Sequence, residues 1–223
     1  MKYRCVLFDL DGTLVDTIDD IALSMNRALE SRGFPARKPE EYPAMVGRGI
    51  RNLARDSLPP EGRTGRNIDE VMAAAARFYQ EKPVVHSRPY PGIPELLAEL
   101  SRLKIRCAVL SNKPDAVARL VIRGLFPPDS FDLVQGEISG VPRKPDPSAA
   151  WDILVSLDCT PRETIFMGDS DVDMETARNI GCFPLGVSWG FRSPELLEKA
   201  GAAWIIQKPE ELLSLMNLRG AQV

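Results

Sequence analysis

Histidine is almost missing from this chain: His86 is the only one in 223 residues. A histidine-based metal cluster and a Ser-His-Asp triad elsewhere are thereby excluded. His86 itself stands in the loop-like run His86-Ser87-Arg88-Pro89, where a structural or solvent-facing role is expected. Cysteine is scarce as well, and Cys5, Cys107, Cys159 and Cys182 show no CxxC spacing. Buried, reduced thiols are the expectation. No apolar run approaches the ~20 residues that span a bilayer, so no membrane partner is expected. Met1-Lys2-Tyr3 leads straight into a strand-like run, which predicts no signal peptide and a cytoplasmic location. Surplus positive charge is absent too. The 28 Lys and Arg against 31 Asp and Glu give a net charge of −3, which argues against a general nucleic-acid binder.

What is present is ordinary globular material, 44% hydrophobic and 26% charged, in a length that suits one large domain or one domain with a smaller insert. The most informative stretch is CVLFDLDGTLVD at 5–16. Cys5 to Phe8 read as a buried strand, and Asp9 and Asp11 then emerge on the same side of an extended chain. Two carboxylates so placed repel, so something must offset their charge.

After Asp16 the pattern turns helical. Thr17 is placed to cap the helix, Asp19 and Asp20 fall in its first turn, and Gly33 supplies a stop. Ile18, Ile21, Met25 and Leu29 recur between them at helical spacing. Further helices are predicted over 48–58 and 67–82, and the block 15–85 shows no convincing strand, so it reads as an all-helical cap domain. From Pro89 the rhythm is helix then strand: helices near 94–103, 115–123, 147–157, 172–180, 193–200 and 209–217 alternate with strands at 105–110, 131–134, 164–167, 183–187 and 203–206. Such alternation predicts an α/β fold, a doubly wound parallel sheet. Strand 4–8 would join it, giving a core of 1–14 and 86–223 around the 15–85 cap. Trp151, Trp189 and Trp204 are expected to serve packing.

Ligands of a doubly wound sheet bind beyond the carboxyl ends of its strands. There the chain carries Asp9 and Asp11, then Ser111-Asn112-Lys113, then Gly168-Asp169-Ser170-Asp171-Val172-Asp173, with Arg143-Lys144-Pro145-Asp146-Pro147 opening a helix. This inventory fits phosphoryl chemistry. Mg²⁺ favours oxygen ligands, which Asp9 and Asp169 can supply, and the ion would offset the clustered charge. Ser111, nearby backbone N–H groups and Lys144 can hold phosphate oxygens. One carboxylate in line with phosphorus can act as nucleophile, giving an aspartyl-phosphate, and the other as general acid and base.

Four motifs in order, DLDGT at 9–13, LSN at 110–112, RKPDP at 143–147 and GDSDVD at 168–173, resemble those of the haloacid dehalogenase superfamily of phosphotransferases. The resemblance covers nearly the whole chain. It implies Asp9 as nucleophile, Asp11 as acid and base, Ser111 as phosphate donor and Lys144 as orienting cation. It also implies Mg²⁺ held by Asp9, Asp169 and the backbone carbonyl of Asp11, with Asp173 in or beside that set, and substrate contacts from Thr13 and Asn112. Asp11 separates the chain from the dehalogenases of the superfamily, which lack an acid there. The phosphonate-cleaving branch needs a desolvated cap lysine; the insert contains Lys38 and Lys82, of which Lys38 lies in the proline-bounded run RKPEEYP and reads as solvated.

A helical cap directly after the first motif, the segment MVGRGIRNL at 45–53 and the C-terminal stretch 189–213 are similar to phosphoglycolate phosphatases. The implied substrate is a small phosphorylated metabolite, foremost 2-phosphoglycolate, handled by a monomer or homodimer. Arg48, flanked by Gly47 and Gly49, is the candidate to pair with a substrate carboxylate; the alternative is a surface arginine starting a helix. Asp171 reads as a helix-start residue. A sugar phosphomutase and a catalytically silent phosphometabolite-binding regulator are the rival functions.

Overall fold

A computed structural model describes residues 3–220, with side chains through residue 216. Its centre is a six-stranded sheet of parallel strands built from β1 (Cys5–Phe8), β4 (Arg106–Pro114), β5 (Leu133–Glu137), β6 (Thr164–Gly168), β7 (Phe183–Val187) and β8 (Trp204–Ile206), in the spatial order β5-β4-β1-β6-β7-β8. All four residues of β1 are fully buried, as a central strand covered on both faces requires. The order reverses at β1. Chain leaving β4 winds to one side and chain leaving β6 to the other, so the ends of β1, β4 and β6 open onto one crevice.

Helices α4 (Ile93–Arg102), α5 (Asp115–Leu125), α6 (Ser148–Ser156), α7 (Asp171–Ile180), α8 (Pro194–Lys199) and α9 (Glu211–Gly220) supply the two covering layers. One face of the sheet packs Ala149, Ala150, Ile153 and Leu154 of α6 and Ala177 and Ile180 of α7 against Cys5, Leu7 and Phe166. The other face joins Val6, Phe8 and Val109 to α4 and α5 and continues without a break into the helices inserted after β1. These are α1 (Ile18–Ser31), α2 (Ile50–Ser57) and α3 (Gly65–Glu81), with two short 3₁₀ turns at Pro39–Ala44 and Pro60–Gly62. The apolar stripe Ile21, Met25, Leu29 of α1 meets Ile68, Val71, Ala75 and Tyr79 of α3, the recurrence expected when two amphipathic helices bury their faces together.

Three local expectations give way to tertiary context. The insert begins with strand β2 (Val15–Asp16), which pairs antiparallel with β3 (Arg88–Pro89), so the outgoing and returning connections form a two-stranded ribbon. Two residues are too few to leave an alternating signature in sequence. Thr17 does not cap α1; its hydroxyl instead donates to Asp11 Oδ1 at 2.7 Å. Of the tryptophans, Trp189 packs on Tyr90, but Trp151 and Trp204 are 43% and 54% exposed on the outer side of α6 and on the edge strand β8. The cysteines are reduced, with Cys5, Cys107 and Cys182 buried and Cys159 half-buried. Among the described residues no helix is long and apolar enough to cross a membrane.

Candidate active site

The register of the central strands sets the site. Phe8 lies opposite Val109 on one neighbour and Met167 on the other, so the residues just past it enter the crevice level with Leu110-Ser111 and Gly168-Asp169. The Asp9 amide donates to the Met167 carbonyl at 2.9 Å, which carries the sheet pairing one residue further and fixes the start of the loop. Gly12 then turns the chain with φ of +87°, and a Cβ there would lie 2.4 Å from Asp169 Oδ2. Only glycine accepts both that backbone angle and that approach.

Lys144 reaches under the crevice, its Nζ 2.8 Å from Asp9 Oδ1 and 2.6 Å from Asp173 Oδ1. Asp173 is held from its other side by the Ser170 hydroxyl and amide, which donate to Oδ2, while the Ser170 side chain caps α7. Asp169 accepts from the Thr13 hydroxyl at 3.2 Å and from the Phe191 amide at 2.7 Å. The Trp189 indole N–H donates to the Thr13 carbonyl, tying the loop after β7 to the loop after β1. Asn112 donates to the Lys144 carbonyl at 2.9 Å and, across to the cap, to the Gly47 carbonyl at 3.0 Å. Ser111 is buried beside it with its hydroxyl accepting from the Lys113 amide.

The electrostatics follow from burial. Desolvation, then the neighbouring charge of Asp173, pushes Asp9 up to about 7. Desolvation and the Asp9 and Asp173 charges push Asp169 well above the usual carboxylate range. Lys144 stays protonated: burial opposes its charge, but Asp173 and Asp9 outweigh it and raise its pKa. Three buried carboxyls share one lysine, an excess of negative charge that a bound cation would offset. Asp9, Asp169 and Asp173 each present a carboxylate oxygen within 4.8 Å of the others, all three buried. The donors are oxygen alone, which fits a hard divalent cation such as Mg²⁺ rather than a thiophilic metal. Lys144 and Ser170 occupy both oxygens of Asp173, and Thr13 and Phe191 both oxygens of Asp169, whereas Asp9 has one oxygen engaged, by Lys144.

Several residues the sequence reading passed over complete the site. Lys113 is buried, and its Nζ lies 2.8 and 3.1 Å from the two oxygens of Asp11. Burial opposes its charge, yet Asp11 and Tyr79 raise its pKa. Tyr79 arrives from α3, with the Lys113 ammonium 4.2 Å from its ring centroid. Arg192 follows the loop after β7 and donates from both terminal nitrogens to cap carbonyls, those of Pro43 and, at 2.7 Å, Val46. The sequence held one signal for Lys113, since it continues the polar run Ser111-Asn112 past a strand end. Tyr79 sits on the buried stripe of α3, so its spacing marks it only as a core residue.

Roofed by the cap, the crevice becomes a cavity whose wall includes Asp9, Asp11, Ser111, Asn112, Lys113 and Asp169 from the core. Arg48 is not on that wall. Its side chain is 58% exposed and pairs with Asp171 at the start of α7, and Gly47 and Gly49 line the cavity in its place.

A doubly wound sheet with buried acids and a lysine at its switch point defines a phosphotransferase-like class of site, and the comparison with known families agrees: the family model described as haloacid dehalogenase-like hydrolase matches residues 6–187. The chain belongs to that family. It is 30% identical over 214 residues to the phosphoglycolate phosphatase of Aquifex aeolicus strain VF5, covering 96% of this chain and 97% of that one. It is 31% identical over 218 residues to the phosphoglycolate phosphatase of Chromobacterium violaceum, covering 96% of each. The crystal structure of a predicted phosphoglycolate phosphatase from Haemophilus somnus 129PT superposes with a TM-score of 0.89 at 25% identity, over 97% of this chain and 99% of that one.

Proposed function

We propose that the protein is a Mg²⁺-dependent phosphatase that hydrolyses a small phosphorylated metabolite, 2-phosphoglycolate foremost, through an aspartyl-phosphate on Asp9. The observation that carries this reading is the meeting of Asp9, Lys144, Asp169 and Asp173, from three separate chain segments, around one buried oxygen-lined position. The full-length similarity to phosphoglycolate phosphatases supports the choice of substrate.

In the first step an oxygen of Asp9 attacks phosphorus, the phosphorus–oxygen bond to the leaving group breaks, and Asp11 gives its proton to the departing alkoxide. In the second, Asp11 removes a proton from water, which attacks the phosphorus of the aspartyl-phosphate. The products are inorganic phosphate and free Asp9. Lys144 orients Asp9 and balances the charge of the transferring group, and Ser111 with its neighbouring amides receives phosphate oxygens. Bound at Asp9, Asp169 and the Asp11 carbonyl, Mg²⁺ would screen the negative charge of nucleophile and phosphate from each other. The cap excludes bulk water while the phosphoryl group moves, and its contacts with Asn112 and Arg192 hold it against the core.

The test is phosphate release with Mg²⁺ from 2-phosphoglycolate, hexose phosphates, nucleotides and pyrophosphate, ranked by kcat/KM. Inorganic phosphate as the sole phosphorus product separates hydrolysis from transfer to a second sugar hydroxyl. No release from any member of the panel would remove the assignment.

A further inference from the structure

We propose that Lys113 and Tyr79 together form a subsite for an anionic group, a carboxylate above all, carried by the leaving half of the substrate. This deepens the phosphatase reading above and rests on it. The cap side of the cavity is mostly apolar, with Ile21, Met25, Ile50, Leu53 and Ala75, and carries no cation; of its two side-chain hydroxyls, that of Ser24 donates to the Asp20 carbonyl and the other belongs to Tyr79. Arg48, the cap cation that the sequence singles out, lies outside the cavity on Asp171. Of the cations on the cavity wall, Arg192 spends one bond from each terminal nitrogen on the carbonyls of Pro43 and Val46, which ties its guanidinium to the cap backbone. Lys113 is differently placed. Its side chain is 3% exposed, and an ammonium carries three donors, of which Asp11 takes at most two.

The second observation concerns the neighbour of that ion pair. Tyr79 is 6% exposed and on the cavity wall, and its hydroxyl is buried with no hydrogen-bond partner among the described residues. A buried hydroxyl left unpaired is costly and marks a place where an acceptor belongs. The Lys113 ammonium lies 4.2 Å from the same ring, so hydroxyl and ammonium border one region. A carboxylate has two oxygens, one for each donor, and in a desolvated setting the charge-assisted bond is strong. A neutral alcohol of the same size brings one uncharged oxygen in place of two charged ones, so the charge assistance is lost and one donor loses its acceptor. Specificity would then come from the unmet donors, as in sites built to hydrogen-bond a substrate group.

The experiment compares kcat/KM for 2-phosphoglycolate with that for ethyl phosphate, which lacks the carboxylate, in wild type, Tyr79→Phe, Lys113→Met and Lys113→Arg. The wild type is expected to prefer the carboxylated ester. Tyr79→Phe lowers that preference at least tenfold, chiefly through KM, Lys113→Met lowers it further, and Lys113→Arg restores part of it. Lys113→Met removes one partner of a buried ion pair, so Tyr79→Phe, which keeps the ring, carries the test if that variant does not fold. A preference unchanged in Tyr79→Phe overturns the subsite, as does a preference abolished by Arg48→Ala and kept by Tyr79→Phe. A wild type that hydrolyses both esters equally well overturns the subsite alone and leaves the phosphatase standing. A wild type that releases phosphate from neither these esters nor the wider panel overturns both.

Discussion

Lys144 Nζ stands 2.6 Å from Asp173 Oδ1, an ion pair in which the lysine side chain is 2% exposed and the aspartate fully buried. Removing one partner of such a pair strands the other charge in a low-dielectric interior, which typically costs about 3–5 kcal/mol. Asp173→Asn leaves Lys144 the Asp9 carboxylate as a counter-charge, so the expected fall in unfolding free energy is smaller, about 1–3 kcal/mol. Turnover is expected to slow because Lys144 loses the group that aims it at Asp9. Urea denaturation and kcat, measured on the same preparation, check both effects. A variant as stable and as fast as wild type would remove Asp173 from its anchoring role.

Asp9→Asn preserves shape and removes the nucleophilic oxygen. Phosphate release should fall below detection while circular dichroism and the denaturation midpoint show a folded protein. The substitution relieves the repulsion among Asp9, Asp169 and Asp173 but also takes from Lys144 one of its two carboxylate partners. Stability without metal is therefore expected to change by no more than about 1–3 kcal/mol. Wild-type turnover in this variant would overturn the covalent route.

The raised pKa of Asp9 sets a pH dependence. A carboxyl held up to about 7 in the folded protein, against an ordinary value near 3.8, keeps its proton where the unfolded chain has lost it. Stability of the metal-free protein therefore falls as pH rises between those values. Mg²⁺ binds the deprotonated form, so the Tm increase on adding it should be larger at pH 8 than at pH 5. Calorimetry with EDTA and with Mg²⁺ across that range measures the difference. An increase that is the same at both ends would exclude these acids as the cation site.

Asp20 fastens the cap's return connection. Its carboxylate is 1% exposed and accepts from the amides of Val85, His86 and Ser87 at 3.0, 3.0 and 2.8 Å and from the Ser87 hydroxyl at 2.6 Å. Burial opposes its charge, but the bonds from Ser87, His86 and Val85 prevail and hold its pKa below the ordinary value. A depressed carboxyl contributes stability that is present above its unfolded pKa and is lost as pH falls through the folded one. Asp20→Ala is expected to cost about 1–3 kcal/mol and to speed amide exchange at 85–87 selectively. Unaltered exchange there would show that the connection is held by other contacts.

Much of the architecture was legible because it is written in local periodicity. Ile21, Met25 and Leu29 announce a helix by spacing, and Cys5 to Phe8 announce a covered strand by unbroken apolarity. The strand-end rule gathered Asp9, Ser111, Lys144 and Asp169 before any coordinates, since each follows a strand or opens a helix. The ribbon of Val15–Asp16 with Arg88–Pro89 escaped notice because pairing between segments so far apart in the chain leaves no trace in either one. Thr17 has the chemistry of a helix cap, but a carboxylate six residues earlier, brought close by the turn at Gly12, is the better acceptor.

By itself the sequence determined a parallel α/β sheet with a helical insert, and the acids, hydroxyls and lysine that its strand ends carry to one edge. Those are consequences of short-range sterics and burial pattern. Which of Arg48 and Lys113 lines the cavity was decided only by the tertiary structure. Lys113 continues a polar run past an apolar strand and Arg48 stands between two glycines, but neither local context says which side chain is buried. The closure of the cap over the sheet turns one toward solvent and Asp171 and buries the other against Asp11 and Tyr79, because burial is a property of the assembled surface and not of the chain.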